Sequence, residues 1–420
     1  MIGSELPKGW KLVPLKEITS IIRGVSYPKE EAKLHPEENY VHILRGGNIQ
    51  DGKIVFETDD NVYVNSSLVG EEQFVLKDDV VIVASTGSKK VIGKAATIEE
   101  DSRCISFGAF LLLLRTNVID KRFHSYFFQT QYYRNTISSL AGGININNIK
   151  KEHIENLQIP LPPLTEQKQI AEKLDKLFDQ IETIKEASNK IPELLKNFRQ
   201  QVLTYAVTGK LTDSDYESWE LKTLDEIAIP KAGYAFKATD FIDNGIQVIR
   251  MGNLYDNKLS LDRNPVFVPK NYDTDIIERS RVKRNDILLT LTGTKYKRDY
   301  GYAIKIDTDE VLLLNQRILS LTPLIDPDYL LLVLRSDEFR NQFFEFETGG
   351  VNQGNVGVKN VMTIKLHIPS PRIQEEIVRR TKILFNILDN VERRYNILCE
   401  KLDKLPQALL GKAFKGELIL

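Results

Sequence analysis

The chain has 420 residues, too many for one ordinary core, so two or three domains are expected. Its 42% apolar and 27% charged residues fit a soluble globular protein, and a net charge of −1 argues against an indiscriminate nucleic-acid binder, which is ordinarily basic. No apolar signal core opens the chain, the longest apolar run (around Leu111–Leu114) is far shorter than a membrane span, and Cys104 and Cys399 stand alone; a cytoplasmic protein without disulfides or a cysteine metal site is the expectation.

In chain order, the elements occur twice, about 207 residues apart. Trp10, Leu15 and Ile18 return as Trp219, Leu224 and Ile227. The strand-like run from Ile43 through Arg45-Gly46-Gly47-Asn48 returns as Val248 through Arg250-Met251-Gly252-Asn253. A second apolar strand ends in Thr86-Gly87-Ser88-Lys89 and again in Thr292-Gly293-Thr294-Lys295. A helical stretch near Phe123 to Thr136 matches one near Tyr329 to Phe344. Gly142-Gly143-Ile144-Asn145 returns as Gly349-Gly350-Val351-Asn352, and Ile159-Pro160 as Ile368-Pro369. Short apolar runs between Gly, Asn and Asp turns make each globular part α+β. The prolines end each part by forcing extended backbone before them.

After the prolines the apolar period changes from about two to 3.5. One seam runs Ile170, Leu174, Leu177, Ile181, Ile184, Ser188, Ile191, Leu195, Phe198, Val202, Tyr205; the other runs Ile377, Thr381, Leu384, Leu388, Val391, Tyr395, Leu398, Leu402, Leu405, Leu409. Steps alternating four and three over five heptads predict coiled-coil helices. Thr165 is expected to cap the first helix and Ser370 the second, with Gly209 and Gly416 as stops. Pro192 and Pro406 fall inside the pattern at positions that do not match between copies, which favours kinked but continuous helices. Burying both stripes within one chain predicts antiparallel pairing. Some 45 residues at about 1.5 Å each would make a rod of roughly 65 Å, with the two parts at its ends about a pseudo-twofold axis.

With these segments in view, the sequence resembles the specificity subunits of type I restriction-modification systems over essentially its whole length. Its most specific parts are Pro162-Pro163-Leu164-Thr165-Glu166-Gln167, the helix end from Phe198-Arg199-Gln200 to Gly209-Lys210-Leu211, and the paired arginine-glycine-asparagine and threonine-glycine segments. The second copy departs from the pattern, with Pro371-Arg372-Ile373-Gln374 in place of the fuller motif. The resemblance implies α/β target recognition domains at residues 1–163 and 212–370, and conserved helical regions at 164–211 and 371–420. It implies a non-catalytic subunit that reads an asymmetric, two-part site in double-stranded DNA. Two modification (methyltransferase) subunits would dock on the helices, and restriction (motor nuclease) subunits would join them. S-adenosylmethionine, ATP and Mg would belong to those partners, and this chain would hold no cofactor.

The first candidate DNA contacts follow each threonine-glycine pair: Ser88, Lys89 and Lys90, with Lys94, in one copy, and Thr294, Lys295, Tyr296, Lys297 and Arg298 in the other. Small polar residues at a strand end leave amides accessible, and clustered cations suit phosphates; an ordinary solvated basic loop is the competing reading. Basic residues concentrate from Arg279 to Arg298, opposed only by Asp286. Arg45 and Arg250 are matched and suit guanine, or else a buried ion pair. Asn145 and Asn148, with Asn352 and Asn355, lie in Gly-rich loops where turn chemistry competes. Tyr27 with Lys29, and Tyr234 with Lys237, precede the first matched strands. The histidines show no metal-ligand spacing, and no phosphate-binding loop or methyltransferase motif is present. A two-headed scaffold for proteins and a lone DNA-binding regulator stay open as alternatives.

Overall fold

The structure, a computed structural model, describes residues 6–50, 52–56, 61–88, 90–140, 147–350 and 352–418. It divides into two compact units, Met1–Ser188 with Ile397–Leu420, and Asn189–Asn396.

In the first unit, strand Lys11–Pro14 pairs antiparallel with Gln158–Leu161, so the start and end of the globular part close on each other. A four-stranded antiparallel sheet runs in the order Ser20–Arg23, Leu111–Arg115, Val80–Val83, Ala95–Thr97. Its two central strands are buried on both faces, which is why they read as unbroken apolar runs. Val80, Ile82, Leu112 and Leu114 face one cluster, and Val81, Val83, Leu111 and Leu113 face the other. A smaller sheet places Ile105–Phe107 parallel to Tyr40–Leu44, which pairs antiparallel with Val62–Asn65.

The second unit repeats this frame. Its larger sheet is Ala228–Ala232, Ile318–Pro323, Ile287–Thr290, Ala303–Lys305. Leu312–Leu314 lies parallel to Ile246–Ile249 in the smaller sheet, and Glu220–Thr223 closes on Lys365–Ile368.

Each expected helical stretch is two helices: Lys121–Phe128 and Gln131–Leu140 in one unit, Pro327–Arg335 and Asp337–Glu345 in the other. A hydroxyl makes the break. Thr130 Oγ1 accepts the Tyr133 N–H at 3.1 Å, and Ser336 Oγ accepts the Phe339 N–H at 3.3 Å.

The heptad segments form helices Leu164–Ser188, Ile191–Val207 and Pro371–Ala413. Pro406 sits inside a continuous helix as expected, but Pro192 corrects the other half of that expectation. A proline ring excludes the carbonyl four residues back, here Ser188, where the first segment ends; Pro192 then sits in the first turn of a new helix. Thr165 is likewise not the cap: the helix already includes Leu164, and Pro163 O accepts the N–H of Glu166 and Gln167. Ser370 holds the matching position before Pro371.

Within each unit the helical segments pair antiparallel. In the first, Lys185 bonds Asp403 and Lys173 bonds the Leu418 carbonyl; in the second, Arg199 bonds Asp389 and Arg380 the Leu211 carbonyl. Each pair closes a sheet core. Ile170, Ala171 and Leu174 join Leu410, Ala413 and Phe414 beneath one sheet, and Leu203, Ala206, Val207 and Ile377 lie beneath the other. Between these ends the seam is covered only in part: Ile181, Ser188, Leu388 and Leu402 are buried, whereas Ile184, Phe198, Val391 and Leu405 are exposed.

Two buried glutamines fix how the helices leave the domains. Gln167 donates to Pro162 O and accepts the Asp120 N–H; Gln374 donates to Pro369 O and accepts the Asp326 N–H.

His124 is fully buried beneath the first sheet, with Nε2 at 2.8 Å from Thr19 Oγ1. Burial pushes its imidazole down to about 3. Below pH 6.5 the unfolded chain takes up a proton that the folded chain refuses, so stability falls as pH drops from 6.5 towards 3. Between pH 7 and pH 5 this residue should remove about 2 kcal/mol from the first unit. Denaturant titrations at both pH values, with His124→Gln showing a flatter dependence, check it; equal slopes would refute it.

Candidate nucleic-acid interface

The two arginine-glycine-asparagine segments are built around their asparagine. Asn48 and Asn253 are buried, and each side chain closes a short 3-10 turn. Asn253 Oδ1 accepts the Arg250 N–H at 2.9 Å, while Nδ2 donates to Ser260 O and Arg263 O. Asn48 accepts the Arg45 N–H at 2.8 Å and donates to Val55 O. The arginine is thereby left at the surface. Arg250 is half-buried, donates to Asn264 O at 2.8 Å and lies over the Phe241 ring. Among the described residues no ion pair holds it, so of the two readings offered for Arg250 the buried ion pair is not the one observed. Arg45 stands beside Tyr27, whose phenol burial raises and the guanidinium partly draws back.

The threonine-glycine strands pair with the Asn-rich segments. Ser85–Thr86 lies antiparallel to Asn147–Asn148, and Thr292–Gly293 to Gly354–Asn355. Two motifs some 60 residues apart in sequence thus make one ribbon in each unit. Asn352 is exposed at its turn. Lys89 and Asn145 lie outside the described residues. Ser88 and Lys90 are exposed at the tip of the first ribbon, and Lys94 is half-buried beside strand Ala95–Thr97.

In the second unit the loop is tightly organised. The Thr294 N–H donates to Asp299, Lys295 Nζ donates to Gly349 O at 3.0 Å, and the Lys295 ammonium stands 5.0 Å from the Tyr296 ring centre. Arg298 donates to Asn341 and lies over Phe344. Tyr296 and Arg298 both adopt positive φ, 67° and 50°, on either side of exposed Lys297. Such backbone costs of order 1 kcal/mol per residue and needs support from its surroundings.

That support comes from a residue the sequence reading missed. Arg340 donates from one nitrogen to Gly301 O at 2.7 Å and from another to Arg298 O at 3.1 Å. Arg134 does the same in the first unit, to Ile92 O and Lys90 O. Burial lowers both guanidinium pKa values. Their 206-residue offset follows the repeat, and that spacing was the available signal.

The basic run from Arg279 to Arg298 does not form one patch. Strand Ile287–Thr290 puts Arg279, Arg281, Lys283 and Arg284 at one end and Lys295, Lys297 and Arg298 past the other, about 13 Å away at 3.3 Å per residue. Arg284 is moreover neutralised by Asp309.

The remaining candidates join the same edge. Tyr234 exchanges backbone hydrogen bonds with Leu314 and Gln316, and its ring meets Phe236 edge-on; Lys237 is exposed. The equivalent contact in the first unit is made by Val25, so the structural counterpart of Tyr27 is Phe236 rather than Tyr234. A glycine precedes this contact in each unit because nothing larger fits: a Cβ on Gly24 would lie 2.1 Å from Gly108 O, and one on Gly233 2.2 Å from Asn315 O. Each unit therefore carries one edge on which the Tyr27 or Tyr234 segment, the loop after the parallel strand, the threonine-glycine strand and the Asn-rich strand lie side by side.

Among the described residues no group of three or more His, Cys, Asp or Glu could hold a metal ion, and no helix is long and apolar enough to cross a membrane. A sequence profile described as the type I restriction modification DNA specificity domain matches residues 7–193 and 216–398. The chain is 34% identical to the specificity subunit of the type I restriction enzyme EcoKI from Escherichia coli K12, and 32% identical to that of StySPI from Salmonella potsdam. Each alignment covers 100% of this chain and 91% of the relative. The fold matches the crystal structure of the HsdS subunit from Thermoanaerobacter tengcongensis with a TM-score of 0.68 at 17% identity, over 99% of this chain and 98% of that one. Two matched repeats, each presenting a polar sheet edge beside a long helix pair, and full-length relatives above 30% identity place the chain in the family of type I restriction-modification DNA specificity subunits.

Proposed function

We propose that each unit reads one half of an asymmetric, two-part duplex site, and that the chain delivers partner subunits to that site without catalysing a reaction itself. The carrying observation is the repeated edge. One ribbon, braced by one matched arginine, occurs in both units, while the side chains it displays differ. A shared frame with different displayed chemistry suits two unlike half-sites.

The helices are the docking surface for two methyltransferase subunits, with restriction subunits completing the assembly. Exposed apolar residues on the helix pair of the second unit, among them Leu194, Phe198, Ile383 and Ile387, support this reading. S-adenosylmethionine, ATP and Mg then belong to those partners. Residues 1–163 and 212–370 are the two readers, and the helices at 164–211 and 371–420 space them.

Exchanging residues 1–163 for the corresponding part of another family member tests the reading. The methylated sequence in cells should change in one half-site and stay the same in the other. A change in both halves, or in neither, would sink it.

A further inference from the structure

In both units the loop that follows the parallel strand occupies the middle of the proposed reading edge, and its backbone is held in the same way. In the first, Ala109 N–H donates to Val25 O at 3.0 Å, and Phe110 O accepts from Ala84 and Ser85. In the second, Gln316 N–H donates to Tyr234 O at 3.0 Å, and Arg317 O accepts from Leu291 at 3.2 Å. The frame repeats at an offset of 207 residues, but the side chains do not: Ala109-Phe110 stands where the other unit has Gln316-Arg317.

Both loops leave costly groups in the open. Phe110 is 66% exposed, a large aromatic ring in solvent beside a polar ribbon. Arg317 is exposed and lines a cleft of about 480 Å³ together with Arg250 and Arg263. Asn264 and Gln316 add amides, Phe236 and Phe241 add apolar walls, and no carboxylate contributes to the lining. Arg250 is tethered to Asn264 O and Phe241, whereas the side chains of Arg263 and Arg317 have no hydrogen-bond or ion-pair partner among the described residues. Three like charges that line one cleft, with no carboxylate among its described lining residues, repel one another, and acceptor atoms from a ligand would relieve that repulsion.

We propose that these two-residue segments are base-reading positions which set different requirements in the two half-sites. Arg317, with Gln316 beside it, addresses the acceptor-rich major-groove edge of a guanine. The guanidinium fork matches O6 and N7, and a locked backbone leaves little loop entropy to lose on binding. Phe110 makes the apolar contact that suits a thymine methyl group. This rests on the DNA-reading assignment above, and it adds residues that no motif match singles out.

The test uses the chain assembled with its methyltransferase subunits, and reads both the methylated sequence genome-wide and the salt dependence of binding. Arg317→Ala should relax one guanine position in one half-site, with discrimination falling about ten- to a hundredfold and the salt slope unchanged. Arg317→Lys keeps the charge but not the fork and should relax the same position with affinity nearly intact. Phe110→Ala should relax a position in the other half-site only. A lower salt slope with an unchanged recognised sequence would make Arg317 a phosphate contact and overturn the proposal. Relaxation in both half-sites, or in neither while the unaltered complex reads its site, would also overturn it. If the unaltered complex shows no sequence preference, it is the DNA-reading assignment that fails.

Discussion

Replacing Asn253 with alanine should destabilise the second unit by about 3 kcal/mol, a large part of the roughly 5–15 kcal/mol available to a domain. The side chain is 2% exposed and makes three hydrogen bonds, all to backbone groups. Alanine leaves the Arg250 N–H and the Ser260 and Arg263 carbonyls without those partners, and water replaces them only in part. Each stranded group costs about 1–3 kcal/mol, with the lower end applying because these groups are only partly buried. The same turn carries Arg250 and Arg263 into the cleft, so DNA discrimination should weaken with stability. Denaturant titration measures the first effect, with exposed Asn244→Ala as a control expected within about 0.5 kcal/mol of the unaltered chain. A loss below 1 kcal/mol for Asn253→Ala would mean that the turn does not depend on its asparagine.

That asparagine shows where sequence reading succeeded and where it stopped. Asn48 and Asn253 were legible as repeated residues because a buried side chain with backbone partners has no good substitute, so both copies keep it. The pairing of the threonine-glycine strand with the Asn-rich strand was not legible, since strand register is set by contacts between distant segments. Ala109-Phe110 and Gln316-Arg317 escaped notice for the opposite reason. A search for repeats finds what is the same, and these positions matter because they differ; only the shared hydrogen bonds of their backbones reveal them as equivalent. An interior proline at position 192 would cost about 3 kcal/mol, and ending the first segment at Ser188 avoids that cost. Pro406 stays within a helix whose packing continues past it, with Leu402 buried before it and Leu410 in the sheet core after it. The charge run from Arg279 to Arg298 misled because proximity in sequence says nothing about which end of a strand a residue occupies.

The second large effect is expected from that run's far end. Replacing Lys295, Lys297 and Arg298 together with alanine should flatten the dependence of log K on log salt by about 2 to 3, since each lost phosphate contact removes about 0.9. Among the described residues, the side chains of Lys295 and Arg298 bond only to uncharged groups, Gly349 O and Asn341, and the exposed Lys297 side chain bonds to none. Their charge is therefore available to a polyanion in a way that of Arg284, neutralised by Asp309, is not. Losing two exposed hydrogen bonds from charged donors to neutral acceptors should cost the fold about 1–2 kcal/mol, so weakened binding would not be unfolding in disguise. Binding of the assembled complex to its site, measured from 50 to 200 mM salt, should therefore show a shallower line for the triple variant. Arg284→Ala should leave the slope as it was. Sequence preference should survive in the triple variant, because phosphate contacts position the protein while base contacts specify the site. An unaltered slope would place the loop off the DNA. A recognised sequence that shifts would instead make one of these cations a reader of bases, and would move the boundary between positioning and reading from the ribbon's neighbour, at Gln316-Arg317, to the ribbon tip itself.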